Sequence, residues 1–165
     1  MGPIYEFFSS DHRRLERLLR HATAARDRID AEAFSHFRAG LLRHIGMEEK
    51  VLLPAAREAR EGVALPLAHR LRLDHGAIAS LLVPTPGHAV VNRLLSVLEP
   101  HNIFEEKPGG LYETCDELLQ GRTGPILEKL RAFPEVPLAP HNDSPLVEQT
   151  IENAIRLARE SWDEN

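Results

Sequence analysis

Apolar residues recur every three to four positions along most of this chain, the spacing of helices with one buried stripe. The first stripe, Phe8, Leu15, Leu19 and Ala22, predicts a helix from Ile4 to about Arg26. Asp30 is a good N-cap, with Glu32 in the first turn, for a second helix running through Phe34, Phe37, Leu41, Ile45 and Leu52 to about Arg60. Gly62 ends it, and Pro66 suits the start of a third helix with Leu67, Leu71, Ile78 and Leu82 inward. The run Pro84-Thr85-Pro86-Gly87 is a break. A fourth helix starts near His88 and turns Val90, Leu94, Val97 and Phe104 inward. Pro108-Gly109-Gly110 interrupts it before a further helical stretch, Leu111 to Gln120. No period-two pattern of useful length predicts a strand. Beyond it, Pro125 to Phe133 reads as a short helix and the proline-rich stretch to Pro145 as a connector. Ser144-Pro145 opens a last helix to about Trp162, whose Leu146, Ile151, Ile155 and Leu157 imply docking on the bundle or on a second subunit.

The two halves repeat. Asp11-His12-x-x-Leu15-x-x-Leu18-Leu19 matches Asp74-His75-x-x-Ile78-x-x-Leu81-Leu82, and His44-x-x-x-Glu48-Glu49-Lys50 matches His101-x-x-x-Glu105-Glu106-Lys107. Helices one and two therefore recur as helices three and four. Each hairpin carries one His on its first helix and a His-x-x-x-Glu pair on its second.

Four residues advance a helix by about 400°, so His44 and Glu48 share a face, as do His101 and Glu105. Glu49 and Glu106 are rotated by about 100° and are less well aimed. All six residues, His12, His44, Glu48, His75, His101 and Glu105, fall on the apolar stripes. Four imidazoles and two carboxylates would then meet in the core of an all-α four-helix bundle. Unpaired buried carboxylates are costly, and a metal removes the difficulty by making both group types ligands. Two equivalent half-sets point to two metals, His12 with His44 and His75 with His101, with Glu48 and Glu105 each reaching both ions. A bridging oxide or hydroxide would add a fifth ligand to each and leave one position open. Mixed imidazole and carboxylate ligation with open positions suits iron, with manganese, zinc or a mixed pair as alternatives.

This pattern, H…H-x-x-x-E…H…H-x-x-x-E, resembles the hemerythrin-like, or HHE cation-binding, family over roughly Tyr5 to Leu119. The resemblance implies an up-down-up-down bundle around a non-haem di-iron centre bridged by carboxylate and oxygen. Associated activities are oxygen binding, redox or iron sensing, nitric oxide and peroxide chemistry, and repair of iron–sulfur centres. Two departures bear on function. Oxygen carriers have a fifth His from an H-x-x-x-H pair on the third helix, whereas Leu71 and Ala79 flank His75 here. The cysteine-bearing N-terminal region usual in iron–sulfur repair members has no counterpart before the first helix.

Composition narrows the rest. Nine His stand against two Tyr and one Trp, and the single Cys115 excludes an internal disulfide framework. A net charge of −5 offers no basic footprint for nucleic acid, and no apolar run approaches a membrane span. With no signal-peptide pattern at Met1 to Glu6, a cytoplasmic protein is expected. The expected organisation is a bundle over 1–121 and a connector with C-terminal helix over 122–165. The leading reading is a metal protein whose buried di-iron centre binds or reacts with O2, NO or peroxide, without a dedicated organic-substrate pocket. The alternative is an iron- or redox-responsive module whose tail meets a protein partner or a second copy. A metal-free histidine phosphotransfer module fits poorly, because it needs an exposed His. His69 is read as surface, His36 as core edge, His21, His88 and His141 as loop or helix-end residues, and Tyr5 as core. Asp11 and Asp74 are candidates to orient neighbouring His residues, or simply face solvent.

Overall fold

Four long helices carry the repeat in the computed structural model, which describes residues 1–164. They are α1 (Pro3–Ala22), α2 (Ala31–Met47), α4 (Ala68–Leu81) and α5 (His88–Glu106). Between α2 and α4 lie a π-helical turn (Glu48–Leu52) and α3 (Leu53–Ala59). The shorter α6 (Leu111–Leu118) and α7 (Thr123–Arg131) precede the last helix, α8 (Pro145–Asp163). No strand occurs among the described residues.

Local signals set most boundaries. Asp30 caps α2, its carboxylate accepting from the Ala33 amide at 3.0 Å. The first helix stops at Ala22, short of the sequence expectation, and Thr23 closes it by hydrogen bonding to the Leu19 carbonyl. Pro100 sits within α5 without ending it. The second helix is not the uninterrupted α-helix that its periodicity predicts. Pro54 lacks an N–H for the carbonyl four residues back, and its ring crowds that turn. The ladder widens instead, and Leu53 N–H donates to the Glu48 carbonyl five residues earlier.

The core is split in two. One apolar cluster joins Leu15, Phe37, Leu41, Ile78, Leu94 and Val97, and the other joins Phe8, Met47, Leu52, Leu71, Leu111 and Leu119. Successive long helices pass between the clusters in alternating order. Phe8 precedes Leu15, Leu41 precedes Leu52, Leu71 precedes Ile78, and Leu98 precedes Leu111. The His and Glu residues of each helix lie at the crossing, so a polar layer is sandwiched between two dry ones. Within α5 the buried residue is Val91 rather than Val90.

The C-terminal segment folds back on the bundle. α8 packs against α4 and buries Ile151, Ile155 and Ala158 in the first cluster. Leu146 and Leu157, expected to dock, are 70 % and 43 % exposed, because they fall on the far face of the helix. α7 reaches the π turn and α1, and Arg43 of α2 donates to the Phe133 carbonyl at 2.8 Å. α6 lies on α1, where Asp116 accepts from the Ile4 and Tyr5 amides at 2.8 and 3.0 Å, satisfying N–H groups of the first turn.

Candidate metal centre

The six residues singled out from the repeat meet in the polar layer, and all are buried. The rings of His12 and His44 pair at 4.6 Å between centroids, and those of His75 and His101 at 4.9 Å. Every Nε2 faces inward toward Glu48 and Glu105. His44 Nε2 lies 3.3 Å from Glu48 Oε1, and His75 Nε2 lies 3.1 Å from Glu48 Oε2. His12 Nε2 lies 3.4 Å from Glu105 Oε2, and His101 Nε2 lies 3.0 Å from Glu105 Oε1. Each carboxylate thus presents one oxygen to each imidazole pair.

Every Nδ1 faces outward to a second carboxylate. The partners are Glu106 for His12 at 2.5 Å, Asp11 for His44 at 2.8 Å, Glu49 for His75 at 2.7 Å and Asp74 for His101 at 3.2 Å. Asp11 and Asp74 therefore orient a His of the neighbouring helix, not the His beside them in sequence. Holding Nδ1 in a hydrogen bond fixes the ring and leaves Nε2 free as a donor of electrons to a metal. Asp74 also accepts from the Trp162 indole N–H of α8 at 2.8 Å.

One further side chain sits inside the cluster. The Tyr112 hydroxyl of α6 lies 2.6 Å from Glu48 Oε1 and 2.8 Å from Glu105 Oε2, with His12 Nε2 and His44 Nε2 at 3.2 and 3.3 Å. Its ring stacks on Phe8 at 4.9 Å. The repeat could not reveal it, since fifty-seven residues separate His44 from His101 and the same offset pairs Tyr112 with Ala55. The available signal was its position beside Leu111 on the apolar stripe of α6, where a buried phenol needs a partner.

Burial and the paired charges of the cluster oppose each other. Burial pulls the His12 pKa down, but Glu105 and Glu106 outweigh it and hold it at about 10. Burial and Glu105 push Glu48 up, yet His44 and His75 prevail and bring it to about 2. Burial works against charge on His75 too, but Glu105, Glu48 and Glu49 raise it well above its ordinary value. Even so, Glu48 Oε2, Glu105 Oε1 and His75 Nε2 are buried with no hydrogen-bond partner. Unsatisfied acceptors converging on an imidazole nitrogen fit a cation. Glu48, His75, His101 and Glu105 place one ligand atom each within 4.8 Å of one another, and so do His12, His44 and Glu105.

Residues 3–84 match the family model of the hemerythrin HHE cation-binding domain. That span belongs to the hemerythrin HHE family. No curated protein and no solved structure gives a match. The matched span contains His12, His44, Glu48 and His75. His101 and Glu105 of α5, outside that span, join the four in the buried cluster.

The other histidines stay apart from it. His21, His36 and His69 are exposed, so His36 is not at the core edge as its spacing suggests. His88 and His141 contact the carbonyls of Ala25 and Val83. Tyr5 is partly buried with its ring edge-on to Tyr112. A cavity of about 620 Å³, not expected from sequence, opens between α1 and α5. Leu15, Phe37, Leu41 and Leu98 line it together with His12 and Glu106.

Proposed function

We propose that this protein holds two iron ions in the polar layer and uses them to bind or react with a small oxidant or diatomic ligand, O2, NO or peroxide. One observation carries the reading. Glu48 and Glu105 each offer one oxygen to His12 and His44 and the other to His75 and His101. A set shared in this way serves two cations better than one. Imidazole with carboxylate suits iron, which would supply the electrons for the reaction. The alternating order of the apolar clusters along the long helices supports an up-down-up-down bundle.

The chain's own residues supply holding, exclusion and access. Glu106, Asp11, Glu49 and Asp74 lock the four rings by their Nδ1 atoms. The two apolar clusters keep bulk water from the layer. The cavity beside His12 and Glu106 gives small molecules a route toward it. With Leu71 and Ala79 beside His75 in place of a fifth imidazole, stable oxygen carriage is not favoured. Metal analysis of freshly purified protein, followed by anaerobic reduction and rapid mixing with O2, NO or peroxide, tests the reading. About two irons per chain and fast oxidation or adduct formation are expected. Protein that folds but takes up no iron would overturn it.

One observation favours a second reading, an iron- or redox-responsive module. Trp162 on α8 touches Asp74, which touches His101, so the C-terminal helix is tied to the centre. Metal-dependent protection of α8 amides without oxidant consumption would select this reading over the first.

A further inference from the structure

We propose that the Tyr112 phenol oxygen is a ligand to the metal held by His12 and His44, so that the two metal positions are chemically unequal. The inference rests on the reading that the cluster holds metal, and it goes beyond the six residues of the repeat. A phenol has one proton to donate, yet the Tyr112 oxygen lies within 2.8 Å of two carboxylate oxygens and within 3.3 Å of two imidazole nitrogens. The oxygen can also accept from protonated imidazoles, but its one proton serves only one of the two carboxylates, whereas both are ordinary neighbours of a ligand atom on a shared cation.

The contacts also choose the half. The oxygens that Tyr112 touches, Glu48 Oε1 and Glu105 Oε2, are those facing His44 and His12. The opposite oxygens, Glu48 Oε2 and Glu105 Oε1, face His75 and His101 and have no hydrogen-bond partner. The phenol is therefore committed to one half-site, and Ala55 at the repeat-related position offers the other nothing.

Tyr112 is held in place from three sides. Phe8 stacks on its ring with planes 6° apart, Tyr5 meets it edge-on, and Asp116 on the same helix clamps the first turn of α1. On ligation the phenol O–H bond breaks, the proton leaves to solvent, and the oxygen bonds the metal. A hard anionic oxygen favours ferric iron at this position.

The test is the optical and resonance Raman spectrum of iron-loaded, oxidised protein, with iron counted in every sample. Wild type is expected to show a visible phenolate-to-iron band with tyrosinate ring modes. Tyr112→Phe, which keeps the stack on Phe8, should lose both. The chain has two tyrosines, so Tyr5→Phe leaves Tyr112 alone and should retain the band even if Tyr112→Phe does not fold. Iron bound without the band, a band that survives Tyr112→Phe, or one lost in Tyr5→Phe overturns the ligand assignment alone. Folded wild type that binds no iron overturns the metal reading and the assignment with it.

Discussion

Glu49 Oε1 lies 2.7 Å from Nδ1 of His75, and this contact repeats in the other half as Glu106 on His12. The second Glu of each His-x-x-x-Glu-Glu motif thus reaches across to the single His of the opposite hairpin. With Asp11 and Asp74 completing the set, each inward-facing imidazole has its own carboxylate brace. Such outer partners typically contribute about 10–100-fold in metal affinity.

Replacing a brace should therefore weaken metal binding without removing a ligand. Asp74→Asn is expected to cost more than Asp11→Asn, because Asp74 is fully buried and also accepts from Trp162. Iron affinities measured by chelator competition should fall by about 10–100-fold for Asp74→Asn. Unchanged affinity in both variants would contradict the bracing role.

Ligands and bystanders should separate cleanly. His44→Ala, His101→Ala, Glu48→Ala and Glu105→Ala are each expected to lower iron content and melting temperature, since bound metal contributes folding free energy. His69→Ala, His88→Ala and His141→Ala should retain wild-type iron. Metal analysis beside thermal denaturation checks both groups.

Acidity should act in opposite senses on the two residue types in metal-free protein. Glu48, held at about 2 against an ordinary 4.5, stabilises the fold above 4.5, and that contribution is lost as pH falls toward 2. His12, held at about 10 against 6.5, stabilises it below 6.5 and loses that contribution as pH rises toward 10. Metal-free stability should peak between 4.5 and 6.5 and decline on both sides. Iron loading at neutral pH should release protons, because the imidazoles must give them up to bind. Denaturant midpoints across pH and calorimetry in buffers of different ionisation heat would measure these effects.

Gly110 sets the approach of α6 to the centre. A Cβ there would lie 2.4 Å from the Glu105 carbonyl oxygen and 2.7 Å from that of Phe104. These are backbone atoms of the helix that carries Glu105, and they cannot swing away. Gly110→Ala is expected to destabilise by about 1–3 kcal/mol and to displace Tyr112 from the cluster. Denaturation together with the iron-loaded spectrum would show both changes.

The repeat made the helices, the layer and the six convergent residues legible, because each depends on spacing within one helix or on a copied motif. What spacing within one helix cannot report is contact between helices. The Asp11–His44 and Asp74–His101 pairs, thirty-three and twenty-seven residues apart, depend on how the two helices of each hairpin pack. Tyr112 was hidden for another reason. It follows the break at Pro108-Gly109-Gly110, where the repeat ends and its half has no copy. The π turn at Glu48 arises from Pro54, six residues on, a local defect that an apolar stripe averages over.

Trp162 is the only tryptophan, and its indole N–H is bonded to the carboxylate that braces His101. All the intrinsic indole fluorescence of this chain therefore originates two hydrogen bonds from the centre. Its emission is a native optical gauge of that end of the layer. If iron binds as proposed, its occupancy and oxidation state would be followed there in real time, without a label and without altering a residue.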